Sequence, residues 1–185
     1  MSAEASAVAD NVWVPGLPRL VVVTGPPGAG KTTVAAALRE RLGLPLIAKD
    51  ALKETLGDAL AFDGDRHESQ RLGVATFQVQ RAVVRELLSA GVSVIAEGNF
   101  RPAWFDALPP ADIVQVYVSA APAVLRERLL SRDSHRHPVH YDREAADEIA
   151  DRAAAGEWLP LSLGGRLIEI DTTSWPDLDE VLRAI

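Results

Sequence analysis

No cysteine occurs among the 185 residues, which excludes disulfide bridges, thiol nucleophiles and cysteine-ligated zinc and leaves the redox compartment open. Positive charge is also scarce: 19 Lys and Arg stand against 26 Asp and Glu, a formal net charge of −7. A general nucleic-acid or membrane-surface binder needs basic surface to displace counterions, so neither class of partner is expected, although local basic clusters stay open. No apolar run approaches the roughly 20 residues that cross a bilayer. The opening "MSAEASAVADNVWVPGLP" lacks a basic start followed by a long apolar stretch, so it does not read as a secretory signal. The expectation is a loose tail over residues 1–18, one domain over 19–185 and a cytoplasmic location, with self-association into a homo-oligomer left open.

What the sequence does hold is apolar residues, 48% of the total, enough for one sizeable core. Short β-branched runs alternate with segments of helical period, the pattern of an α/β fold on a parallel sheet. "RLVVVT" (19–24), "LPLIA" (44–48), "VSVIAE" (92–97), "DIVQVYVS" (112–119) and "RLIEID" (166–171) read as five strands. Helices are expected between them over 32–43, 50–56, 68–90, 122–132 and 142–155, with Gly43 and Gly91 as stops, and a last one closes the chain with Pro176 in its first turn. No internal repeat or low-complexity block interrupts this order.

Residues 25–32, "GPPGAGKT", satisfy G-x-x-x-x-G-K-[ST] between a predicted strand and a predicted helix, the context that this phosphate-binding loop requires. The backbone of Gly25, Pro26, Pro27, Gly28, Ala29 and Gly30 is expected to wrap nucleotide phosphates, with Thr33 beside them on the first helical turn. Lys31 reaches the β and γ phosphates, and the Thr32 hydroxyl ligates magnesium. An N-K-x-D stretch for reading guanine is missing, and "LSLGGR" (161–166) fits two glycines turning into a strand better than a transporter signature. Hydrolysis therefore falls behind transfer to a hydroxyl.

Together with "AKD" after the second strand, "EGNFR" after the third and "RERLLSRDSHRH" after the fourth, the loop resembles the P-loop small-molecule kinases. This AAA-type, predicted-kinase group is similar to adenylate, shikimate and gluconate kinases, chloramphenicol phosphotransferase and zeta-toxin-like kinases. The resemblance implies a P-loop NTPase three-layer sandwich, a five-stranded parallel sheet of order 2-3-1-4-5 with a short lid, and ligands at the carboxyl ends of the strands. It also implies ATP and Mg2+ as cofactors and a small-molecule hydroxyl as acceptor.

Asp50, just past the second strand, is placed to orient an acceptor hydroxyl and take its proton, and aspartate is also a favoured N-cap for a helix beginning at Ala51. Lys49 beside it is expected to face outward. Glu97 ends an apolar strand where a carboxylate would hold magnesium directly or through water, contact the substrate, accept a proton, or cap local backbone. Arg101 corresponds to an arginine that contacts the acceptor in adenylate kinase. Arg128 and Arg132 lie four apart on one helical face, and the resemblance implies that Arg128 packs on adenine while Arg132 and Arg136 stabilise the transferring phosphoryl group. Thr172 and Thr173, after the last strand, match the adenine-binding loop. Phe62, Asp63, Asp65, Arg66 and His67 are expected to wall the acceptor, with Arg66 binding it. Pro138 and the spacing of His135, His137 and His140 favour a lid over a metal site. The rival readings are a nucleotide-binding regulatory domain with little turnover and a polynucleotide 5′-kinase, the latter disfavoured by the acidic balance.

Overall fold

The computed structural model describes residues 16–131 and 136–178. Residues 1–15 of the expected tail, Arg132, His135 and residues 179–185, where the closing helix was expected, lie outside them. Five strands form one wholly parallel sheet: β1 (Arg19–Thr24), β2 (Leu46–Ala48), β3 (Val94–Glu97), β4 (Asp112–Ser119) and β5 (Arg166–Asp171). Their spatial order is β2-β3-β1-β4-β5, as the resemblance implied. The central strand pairs Val23 with Glu97 of β3 on one side and with Val116 of β4 on the other.

Both faces of β1 are covered, which explains its unbroken apolar run. Val21 and Val23 pack against Val34, Ala35 and Leu38 of α1 (Lys31–Leu42) and Leu125 of α4 (Pro122–Leu130). Leu20 and Val22 point the other way, onto Val84 and Leu88 of α3 (Arg66–Ser89) and the aromatic pair Phe100 and Trp104. The three layers thus meet along one strand, and all five strands present their carboxyl ends to the same edge.

Helix boundaries differ most from expectation at three places, each for a local reason. α2 spans Lys49–Ala59 and runs through Gly57, because the missing side chain there makes room for Val139: a Cβ on Gly57 would lie 2.4 Å from that residue's Cγ1. α3 starts at Arg66 behind a capping box in which the Asp65 side chain accepts from the Glu68 N–H and the Glu68 carboxylate reaches back to the Asp65 N–H. α5 (Ala146–Ala154) begins four residues late, since Asp142 turns back to pair with Arg136 and the Tyr141 hydroxyl donates to the Gly64 carbonyl. Among the described residues no helix is long and apolar enough to cross a membrane.

Gln80, fully buried on α3, fastens the strand ends that carry the site. Its Nε2 donates to the carbonyls of Ile47 in β2 (2.7 Å) and Glu97 in β3 (2.9 Å). Gln80→Leu keeps the volume but strips both carbonyls of that donor, so a loss of about 2–4 kcal/mol is expected in urea denaturation. An unchanged unfolding free energy would contradict this tie.

Candidate functional site

The turn from β1 into α1 is shaped by close backbone approach. Gly25 has φ 142°, and a Cβ there would stand 1.9 Å from the Val118 carbonyl oxygen, so only glycine lets the loop start beside β4. Gly30, left-handed at φ 87°, caps α1 with no side-chain bond, and no acidic residue occupies the first turn. The positive end of α1 is therefore not neutralised by the helix itself, the arrangement that receives phosphate oxygens. Lys31 folds back so that its ammonium donates to the Pro26 carbonyl at 2.9 Å.

A cavity of about 620 Å³ opens at this edge of the sheet and extends from Pro27, Gly28, Gly30, Lys31, Thr32 and Thr33 across to α2 and α3. Asp50 lies in it, half-exposed. It stands within the first turn of α2, where Ala48 is the N-cap and no side chain caps the helix, so the capping role does not hold. Its carboxylate instead accepts from Lys49 Nζ at 3.0 Å and from Arg136 at 3.4 Å. Burial works to raise its pKa, but the charges of Lys49, His140 and Lys31 more than reverse this and hold the carboxyl far below the ordinary carboxylate range. Lys49 thus faces into the cleft, contrary to its expected outward position.

Glu97 is buried at the end of β3 and lines the same cavity, with Oε2 lacking any hydrogen-bond partner. Burial raises its pKa and the negative charge of Asp50 adds to that, while Lys31 pulls it down. Lys53, one turn along α2 from Asp50, is also buried; desolvation and then the charge of Lys49 lower its pKa to about 8. Its ammonium donates to Ser69 Oγ (2.6 Å) and the Val139 carbonyl (2.8 Å).

Residues 136–142 close one side of the cleft by docking on α2. His137 pairs with Asp58 at 2.9 Å and His140 with Glu54 at 2.8 Å. Among the described residues no three His, Cys, Asp or Glu side chains converge on a metal position. Arg136 bridges Asp50 and Asp142, and its Nε is buried without a partner.

The remaining expected residues divide. Arg128 lines the cleft, but its guanidinium is held by the Thr172 hydroxyl (2.9 Å) and carbonyl (2.6 Å). The Thr172 hydroxyl in turn shares its one proton between the carbonyls of Ala29 (2.9 Å) and Ser119 (3.0 Å), which commits it to the protein. The Thr173 hydroxyl accepts from the Ala121 N–H. Arg101 does not join the cleft. It precedes the 3-10 turn Pro102–Trp104 and borders a second cavity of about 590 Å³ with Tyr117 and Trp158, on the far side of Asn99. Of the stretch from Phe62 to His67 only Arg66 lines the main cleft, bound to Glu148 at 2.8 Å; Asp63 borders a separate hollow. Sequence reasoning missed Lys53 and Trp175. Trp175 lies against Gly30 with the Arg128 guanidinium 5.8 Å from its ring. The sequence gives no local cue for either one.

A family model described as an AAA domain matches residues 20–155. A solved structure from Chloroflexus aurantiacus, provisionally titled a kinase, is 35% identical and superimposes with a TM-score of 0.80 over 91% of this chain and 96% of that one. A Pyrococcus furiosus protein provisionally named an adenylate kinase is 31% identical over 83% of this chain and 75% of its own length. A shikimate kinase of Thermobifida fusca is 40% identical over 43% of this chain and 45% of its own length.

Lys53 gives the site a measurable signature. Between about pH 8 and its ordinary value of 10.5 the unfolded chain keeps a proton that the folded chain has lost, so this residue's contribution to stability rises with pH through that window. Below it both states are charged and burying the ammonium costs stability. Lys53→Met is therefore expected to be more stable than the wild type at pH 7, with the gap narrowing at pH 10. Urea denaturation of both proteins at the two pH values checks this, and a gap independent of pH would contradict it.

Proposed function

The chain belongs to the AAA-domain family of P-loop proteins, and on that premise we propose that it is an ATP-dependent kinase moving the γ-phosphoryl group to a hydroxyl of a small molecule. The observation that carries this reading is the meeting of Asp50 and Lys31 in one cleft. The relatives named above include a protein provisionally named an adenylate kinase and a shikimate kinase, so the acceptor atom is the point to decide. A phosphate acceptor arrives already deprotonated, and a carboxylate beside its attacking oxygen would repel it. A hydroxyl has a proton to give, and Asp50 is an acceptor for it.

In the proposed reaction the acceptor oxygen bonds to the γ phosphorus as the bond to the β–γ bridging oxygen breaks, and ADP leaves. The hydroxyl proton passes to Asp50 and then to solvent. A carboxyl held so far below its usual range is a weak base, so its main task is to accept the hydroxyl's hydrogen bond and fix the line of attack. That suffices for a loose transition state, in which the nucleophile loses its proton late. Lys31 and the loop amides hold the phosphates, and the unpartnered Nε of Arg136 is a donor for charge that develops on the transferring group. Arg128 and Trp175 offer planar surfaces for a base at the other end of the cleft.

The donor set fits magnesium. Glu97 presents a buried oxygen with no protein partner, Thr32 lines the same cavity, and a hard cation that keeps most of its water needs only one or two such protein ligands. Bound there it would neutralise charge on the phosphate oxygens.

Asp50→Asn keeps the shape and removes the charge. It is expected to lower kcat/KM for the acceptor by about 10²–10⁴-fold with ATP affinity little changed, as read by product mass and calorimetry. Transfer that persists at the wild-type rate would remove Asp50 from the chemistry, and ATP binding with no transfer to any acceptor would favour a regulatory nucleotide-binding domain.

A further inference from the structure

Lys53 takes no part in the transfer just described, yet it is a buried cation on the wall of the cleft. It follows Asp50 by three residues on α2, so the two side chains share a helical face about 4.5 Å apart along the axis. An ammonium carries three N–H donors. Two are given to neutral oxygens, Ser69 Oγ and the Val139 carbonyl, and the third has no partner among the described residues.

Holding the lid does not require this charge. Ser69 Oγ donates to the same Val139 carbonyl at 2.5 Å, so that carbonyl stays bonded without Lys53. An apolar side chain of similar volume would fill the position without the desolvation cost of a buried ammonium. The cleft as a whole is also rich in cations, with six Lys and Arg side chains against three Asp and Glu. Most of the six are engaged: Lys49 and Arg136 on Asp50, Arg66 on Glu148, Arg128 on Thr172, and Lys31 at the phosphate loop. Arg128 likewise has only neutral hydrogen-bond partners, but it is held on α4 against Gly28 and Thr172, whereas Lys53 stands on α2 one turn from Asp50.

We propose that Lys53 receives an anionic group of the acceptor, a carboxylate or a phosphate carried about one helical turn from the hydroxyl that meets Asp50. Gln70 lines the same wall from α3 and supplies a neutral hydrogen-bonding group beside it. The inference rests on the kinase reading above and narrows its substrate class to hydroxylated anions. Lys53 is then a specificity residue, and the transfer chemistry stays with Asp50 and the loop.

Acceptor pairs that differ in the charged group test this: shikimate against its methyl ester, gluconate against glucitol, CMP against cytidine. Each is titrated by calorimetry into the full chain saturated with magnesium and a non-hydrolysable ATP analogue. In at least one pair the charged member is expected to bind ten times or more tighter than the neutral one. Lys53→Met should abolish that preference and Lys53→Arg should keep it, with affinity for the analogue unchanged in both. The shikimate and gluconate arms report a carboxylate, and the CMP arm a phosphate. Equal binding within every pair, or a preference that survives Lys53→Met, overturns the proposal. If no member of any pair binds, acetate and inorganic phosphate become the probes, and failure of both to raise the NMR titration midpoint of Lys53 overturns it as well. Transfer to neutral acceptors alone would defeat this inference and leave the kinase reading standing, whereas loss of analogue binding would strike that reading first.

Discussion

One carboxylate among cations organises this molecule's working edge. Asp50 alone would be a costly group to hold beside a phosphate loop, yet Lys49 and Arg136 bond it directly and the charges of His140 and Lys31 act on it as well. These four come from three places in the chain: Lys31 from the start of α1, Lys49 from the start of α2, and Arg136 and His140 from the segment that closes over α2. Charge pairing at Asp50 is therefore also what draws these pieces together. Lys31 and Arg136 are also the cations that the proposed nucleotide would recruit, so arrival of its phosphates would loosen their hold on the carboxylate.

Beneath that edge two buried knots keep the strand ends in place. Gln80 ties β2 to β3 from one face of the sheet, and the Thr172 hydroxyl ties the phosphate loop to β4 from the other, with Arg128 clamped on top. Both use side-chain donors on backbone carbonyls in places without water, where an unmade bond is expensive. The site can then carry its excess of buried charge because its backbone frame is independently fixed. Lys53 illustrates the balance, a group that costs stability in the fold and is kept at a position where a substrate could repay it.

The fold was largely legible because its signals are local. The phosphate loop is a contiguous motif between a strand and a helix, and the parallel sheet announces itself through apolar runs buried on both faces. That Asp50 lies at the cleft could be read because it follows directly on a strand end. Lys49 and Lys53 could not, since which way they face depends on α2 beginning at Lys49 and continuing through Gly57, and that follows from its contact with Val139, 82 residues beyond. Arg101 was misplaced for a related reason: the turn at Pro102 carries it past Asn99 into a different cavity. Thr172 and Arg128 were read as nucleotide contacts, but they first serve each other through the pairing of β4 with β5, which no local pattern encodes.

Where the γ-phosphoryl group ends up decides whether this chain is a kinase. Incubating the full chain with magnesium, γ-labelled ATP and a mixture of hydroxylated anions, and following the label by mass spectrometry, answers that directly. A kinase leaves the label in an ester with an acceptor hydroxyl, in amounts equal to the ADP formed. Label recovered only as inorganic phosphate, or ATP bound and never consumed, would contradict the kinase reading.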